Sequence, residues 1–173
     1  MNAMAASASE SYRSALRPDA PTEKRLKVLT VDDNHFDRRM LIRCLMKHDK
    51  VKSVSATPDP REALHWLTDH GQDTDLVLLD IAMPVMTGYE LLSAASNVVR
   101  RHGITAVMVS SSSRPADMKA SLQTVASGYL IKPDSFAKMQ RATDFIVECV
   151  ANDLPIPDFV NGLADHPMVR SLH

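Results

Sequence analysis

The chain has 173 residues, and its 20 lysines and arginines nearly balance its 21 aspartates and glutamates, which gives a formal net charge of -1. This balance excludes a global electrostatic field that would favour nucleic acid or an anionic membrane, so we predict neither as a partner. The apolar runs are far shorter than the roughly 20 residues that span a bilayer, and the N-terminus lacks the pattern of a secretory signal. We therefore expect a cytoplasmic protein.

The sequence predicts one folded domain between two extensions. Residues 1–24 are rich in alanine, serine and charge without a sustained apolar period, which predicts a disordered N-terminal extension. Residues 25–152 carry the pattern of the domain. Residues 153–173 form a tail that contains prolines, in which we expect no output domain.

Strand and helix patterns alternate along the domain, and this alternation favours right-handed βαβ units around a parallel sheet. The expected fold class is α/β, with a flavodoxin-like doubly wound (βα)5 architecture and a five-stranded parallel sheet in the order 2-1-3-4-5. The predicted strands cover residues 26–31, 52–56, 76–79, 106–109 and 129–131, and the predicted helices cover residues 36–48, 60–70, 88–101, 115–126 and 135–152.

Local signals mark several helix ends. Asp59 can cap a helix that begins at Pro60, because proline has no N–H to leave unpaired in a first turn. Pro115 is expected in the first turn of another helix for the same reason. Gly103 and Gly128 each follow a helical pattern, which predicts that both end helices in the left-handed conformation.

Four predicted strands each end in a functional group, and the carboxyl ends of parallel strands meet at one edge of a sheet. Three carboxylates at close range repel one another by several kcal/mol, so a cation must lie among them or some must take up protons. Mg²⁺ prefers oxygen ligands and is the predicted cofactor. An aspartate beside a cation and an ammonium can act as a nucleophile toward phosphorus. The groups are Asp32 and Asp33, Asp80, Ser110 and Lys132.

Five short motifs strengthen this interpretation because they occur in a fixed order. The chain resembles the receiver domains of two-component response regulators over about residues 26–151. The motifs are VDD at 31–33, LLD with MP at 78–80 and 83–84, TG at 87–88, VS at 109–110 and IKP at 131–133.

The resemblance implies a role for each of these groups and for two further residues. Asp80 is the expected phosphoacceptor, and Lys132 is expected to contact the phosphoryl group from a cis Lys132–Pro133 bond. Ser110 and Tyr129 are the expected switch hydroxyl and switch aromatic residue. The expected magnesium ligands are Asp32, Asp33, Asp80 and the backbone carbonyl of Ala82.

The function implied by the resemblance is that of a single-domain response regulator, not an enzyme. It would accept a phosphoryl group from a sensor histidine kinase or a phosphotransfer protein and signal through phosphorylation-dependent contacts. The segments VDDNHFDRRML, SSSSRPADM and NDLP also resemble single-domain regulators that partner bacterial phytochromes. The expected output surface is the fourth helix, the fifth strand and the fifth helix, where Met118, Lys119, Leu122 and Arg141 are available for homodimer contacts.

Two alternative functions remain open. One is a constitutive interaction module that uses the receiver fold without phosphorylation. The other is an aspartate-nucleophile phosphatase of the haloacid dehalogenase type, which needs a second aspartate two residues after the nucleophile. Ala82 occupies that position in this chain, which argues against the phosphatase.

Overall fold

A computed structural model of the protein describes residues 24–157. The prediction of disorder for residues 1–24 falls outside the described residues except at Lys24, and most of the predicted tail, residues 158–173, also lies outside them. In the described part of the chain, no helix is long and apolar enough to cross a membrane. The elements are β1 Leu26–Val31, α1 His35–Leu45, β2 Val51–Thr57, α2 Pro60–His70, a 3₁₀ turn Gly71–Asp73, β3 Leu76–Asp80, α3 Gly88–Ala94, α4 Ser96–His102, β4 Thr105–Ser110, α5 Pro115–Leu122, β5 Gly128–Ile131 and α6 Phe136–Ala151.

The strands form one parallel sheet in the order β2-β1-β3-β4-β5, which confirms the predicted flavodoxin-like fold. Strand β3 is buried along its whole length because helices cover both faces of the sheet. One apolar layer lies between the sheet and helices α1 and α6, and the other lies between the sheet and helices α2, α3 and α4. The two layers fix the carboxyl ends of β1, β3, β4 and β5 at one edge.

The predicted helix over residues 88–101 is two helices in the structure. Ala95 has ψ near zero, and its amide bonds to the carbonyls of both Leu91 and Ser93, which loosens the helix at this residue. The fourth predicted helix, α5, ends at Leu122 rather than near residue 126. The Thr124 hydroxyl bonds to the Ser121 carbonyl and accepts from the Ala126 amide, so it competes with continued helical bonding.

The predicted helix ends are confirmed at three positions and wrong at a fourth. Asp59 accepts a hydrogen bond from the Arg61 amide at 2.8 Å, and Pro115 lies in the first turn of α5. Gly103 ends α4 with a φ of 63°. Gly128 instead begins β5, and the prediction of a left-handed helix end there is wrong.

The reason for glycine at position 128 is a close approach from the end of the chain. A Cβ at this position would lie 2.7 Å from the Ile156 side chain and 3.2 Å from the Pro157 carbonyl oxygen. The segment after α6 therefore crosses the amino end of β5. Only a residue without a side chain leaves it room.

Candidate functional site

The loop between β1 and α1 holds two aspartates in different environments. Asp32 is fully buried and Asp33 is exposed. The Asn34 amide donates to Asp32 Oδ1 at 2.9 Å, and the Asn34 side chain caps α1 by accepting from the amides of the first helical turn. The Arg38 side chain, in the first turn of α1, donates to the Asp32 carbonyl oxygen at 2.6 Å. These bonds fix the backbone of the loop and the orientation of the Asp32 carboxylate.

Asp80 is the last residue of β3 and is nearly buried, with 5% of its surface exposed. The following loop turns back tightly, because the Gly88 amide donates to the Ile81 carbonyl at 3.0 Å. A Cβ on Gly88 would lie 2.3 Å from the Asp80 carbonyl oxygen, which no real contact allows. Helix α3 then begins with a capping box formed by Thr87 and Glu90.

Asp32, Asp33 and Asp80 meet as the sequence predicts. Each offers one carboxylate oxygen, and the three oxygens lie within 4.8 Å of one another. Burial is the largest influence on Asp32 and raises its pKa above the ordinary value despite the nearby Lys132 ammonium. The Asp32 Oδ2 atom is buried and is paired with the Lys132 ammonium at 2.9 Å. Three carboxylate oxygens at this range, two of them from nearly buried residues, fit a hard divalent cation such as Mg²⁺.

Lys132 brings its ammonium from β5 into this cluster. Its Nζ lies 2.9 Å from Asp32 Oδ2, 2.9 Å from Asp37 Oδ2 and 3.0 Å from Asp80 Oδ1. Burial lowers the pKa of Lys132, but hydrogen bonds to the three carboxylates outweigh burial and leave that pKa above its ordinary value. The lysine is therefore charged and partly neutralises the aspartates.

The expectation of a cis Lys132–Pro133 bond is wrong, because residues 24–157 contain no cis peptide bond. The Lys132 amide continues the β5 ladder and donates to the Ser110 carbonyl at 2.7 Å. This bond already places the lysine side chain at the carboxyl edge of the sheet.

Ser110 and Tyr129 are joined through the loop after β4. The Ser110 Oγ accepts from the Ser112 amide at 3.1 Å, and the buried Tyr129 hydroxyl donates to the Ser112 carbonyl at 2.9 Å. The Ser112 side chain donates to Asp117 Oδ2 at 2.5 Å, which lowers the pKa of Asp117. The conformation of this loop is thus linked to both expected switch residues.

Several residues at the site were not identified from the sequence. Asp37 joins Lys132 from α1, and its only sequence signal is an acidic residue in the first turn of that helix. Arg114 pairs with Asp117 at 2.9 Å, and the Tyr89 hydroxyl donates to the Asp117 carbonyl at 2.8 Å.

Ala82 is exposed two residues beyond Asp80, and the metal contact of its carbonyl stays a prediction.

Residues 28–144 match the family described as the response regulator receiver domain. The chain belongs to this family. The receiver is 32% identical over 119 residues to a two-component response regulator, ORR13, of Oryza sativa subsp. japonica, and the match covers 69% of this chain and 96% of the relative.

Solved structures give the same result for the fold. The receiver is similar to the CheX-CheY-BeF3-Mg+2 complex from Borrelia burgdorferi, with 28% identity and a TM-score of 0.56 over 65% of this chain and 82% of that chain. It is also similar to the phosphorylated cyanobacterial phytochrome response regulator RcpA, with 23% identity and a TM-score of 0.67 over 77% of this chain and 99% of that chain. The second likeness shows the fold alone, so a phytochrome-type sensor partner stays a prediction.

Proposed function

We propose that Asp80 accepts a phosphoryl group from a histidine kinase or a phosphotransfer protein and that the phosphorylated receiver signals through protein contacts. The observation that carries the proposal is the position of Asp80. Its carboxylate lies within 4.8 Å of two other aspartates and 3.0 Å from the Lys132 ammonium. A nucleophilic carboxylate needs this neighbouring positive charge to receive a phosphoryl group.

In the proposed transfer, a carboxylate oxygen of Asp80 attacks the phosphorus of a phosphohistidine. A P–O bond forms as the P–N bond breaks, and the imidazole nitrogen takes the electron pair. The Lys132 Nζ atom lies 3.0 Å from Asp80 Oδ1. After transfer, its ammonium can donate to a phosphoryl oxygen and stabilise the negative charge there. The Ser110 hydroxyl can donate to another of these oxygens from the end of β4.

Asp32, Asp33 and Asp80 would hold Mg²⁺, with the Ala82 carbonyl as the proposed further ligand. The bound ion would supply charge neutralisation for the incoming phosphoryl group. The similar CheX-CheY-BeF3-Mg+2 complex from Borrelia burgdorferi contains Mg²⁺, which supports this choice of ion. The chemistry of the donors in this chain supports it independently.

Two exposed apolar side chains support docking of a protein as phosphodonor. Phe36 is 81% exposed at the start of α1, and Val85 is 73% exposed in the loop after Asp80. Phe36 lies in the first turn of α1 and Val85 lies in the loop after β3, and both segments follow strands at the carboxyl edge of the sheet. A protein that presents a phosphohistidine to Asp80 would cover them, because contact with a partner removes apolar surface from water. A cytoplasmic location, where such a kinase would act, is part of this proposal.

The proposed output surface consists of α5, β5 and α6. Three extra acceptor oxygens on Asp80 would attract the Ser110 hydroxyl, and Ser110 is bonded to the loop that also holds Tyr129. Leu122 is 45% exposed on α5 and is available for a homodimer or another partner. Light scattering with and without beryllofluoride, beside a Leu122→Asp variant, tests the homodimer. A monomer in every state would leave only the contact with another partner.

The test of phosphoryl acceptance is incubation with Mg²⁺ and phosphoramidate, followed by intact mass measurement. We expect the wild type to gain one phosphoryl group and Asp80→Asn to gain none. A constitutive interaction module would show no gain in either protein. A phosphatase would instead hydrolyse phosphate esters continuously. Ala82 stands where such a phosphatase needs its second aspartate, which argues against this activity. We propose that the receiver is not an enzyme. Labelling of Asp80→Asn at the wild-type rate would refute the assignment.

A further inference from the structure

Asp37 is the Lys132 partner that does not belong to the proposed metal site. A lysine ammonium has three N–H donors, and three carboxylates lie within 3.0 Å of the Lys132 nitrogen. Asp32 and Asp80 also belong to the carboxylate triad. Asp37 lies outside that triad, on the first turn of α1.

The three carboxylates are not equivalent once the site is in use. A cation among the triad would draw on the oxygens of Asp32 and Asp80, and a phosphoryl group on Asp80 would occupy an N–H of Lys132. The bond from Lys132 Nζ to Asp37 Oδ2, at 2.9 Å, uses no oxygen that the cation or the phosphoryl group would take up. Lys132 is 10% exposed and Asp37 is 28% exposed, so this pair is more shielded from water than a surface ion pair.

We propose that Asp37 is a positioning residue that holds the Lys132 ammonium over Asp80 and thereby sets both the affinity of the site for Mg²⁺ and the rate of phosphorylation. The proposal rests on the proposed phosphoryl acceptance at Asp80. Without Asp37, the ammonium is shared between Asp32 and Asp80 alone and competes more strongly with a cation for their oxygens. The ammonium is also free to leave the direction in which it meets a phosphoryl oxygen.

A simpler role for Asp37 must be distinguished from this one. An acidic residue in the first turn of a helix stabilises the helix through its dipole, and the Asp37 amide also donates to the Asn34 cap at 3.3 Å. The dipole effect does not depend on Lys132. A double-mutant cycle between Asp37 and Lys132 therefore separates the two roles.

The cycle consists of Asp37→Asn, Lys132→Met and the double variant. Asp134→Asn is the matched control, since it makes the same change of charge near Lys132 but removes an exposed pair with Lys138. Calorimetric titration with Mg²⁺ gives the affinity without any phosphodonor. Labelling by phosphoramidate at saturating Mg²⁺ gives the rate. Should Lys132→Met not fold, the neutral hydrogen-bond donor in Lys132→Gln completes the cycle.

We expect Asp37→Asn to weaken Mg²⁺ binding about fivefold and to slow labelling about tenfold, which lies within the range of coupling between contacting charged residues. In the Lys132→Met background the same change should have no more effect than the Asp134→Asn control. An equal loss in both backgrounds, or no loss in the wild-type background, would overturn the proposal. If the wild type is not labelled at all, phosphoryl acceptance fails, whereas the Mg²⁺ titrations still test the coupling.

Discussion

Lys132→Met should destabilise the protein strongly in the absence of metal and weakly in its presence. Three carboxylates converge on the ammonium at 2.9 to 3.0 Å, and Asp32 and Asp80 are both nearly buried. At an effective dielectric near 20, each pair contributes about 6 kcal/mol of gross attraction, most of which is offset by the cost of burying the charges. Removing one member of such a buried cluster costs about 3 kcal/mol of unfolding free energy.

Mg²⁺ should recover much of this loss in the variant. Mg²⁺ stabilises both proteins, so the gap narrows by the ratio of their affinities, about 1.4 kcal/mol for each tenfold difference. The variant should bind the ion more tightly than the wild type because no ammonium competes for the triad. Urea unfolding of both proteins, in EDTA and at saturating Mg²⁺, measures the two gaps. Lys138→Met is the control, because its ion pair with Asp134 is exposed and should contribute less than about 1 kcal/mol. An identical gap with and without Mg²⁺ would show that the lysine and the ion do not share oxygens.

Three further predictions concern the loops around the site. Gly88→Ala should cost about 3 kcal/mol in urea unfolding, because its Cβ would lie 2.3 Å from a backbone oxygen, whereas Gly103→Ala has open space and should cost only about 1 kcal/mol of left-handed strain; equal costs would contradict the clash. Val85→Gly should raise the free energy of unfolding by about 1 kcal/mol, and with it the urea midpoint, because a branched residue has a φ of 72° there; an unchanged or lower midpoint would argue against strain. Hydrogen bonding from Ser112 lowers the pKa of Asp117, so its stabilising effect is present above the ordinary aspartate pKa and is lost as the pH falls through the lowered value. The melting temperature of Asp117→Asn should therefore fall less than that of the wild type on acidification, and parallel curves would refute the contribution.

The sequence by itself determined the sheet and most of the groups at its carboxyl edge. Apolar runs separated by helical segments allow few topologies, because βαβ connections are right-handed and strand lengths follow from the runs. The residue after each run then projects at a known edge. The strand ends therefore predict Asp32, Asp80, Ser110 and Lys132 at one edge. The structure brings the two aspartates and the lysine into contact.

The tertiary structure alone decided which of these groups touch and what else joins them. Asp37 and Lys132 are 95 positions apart in the chain, and their contact depends on how α1 crosses the end of β5. The glycine at position 128 is likewise explained only by Ile156, which returns from beyond α6. Sequence patterns report the periodicity within one element, whereas these contacts depend on the packing angle between elements and on side-chain rotamers, which no local pattern encodes.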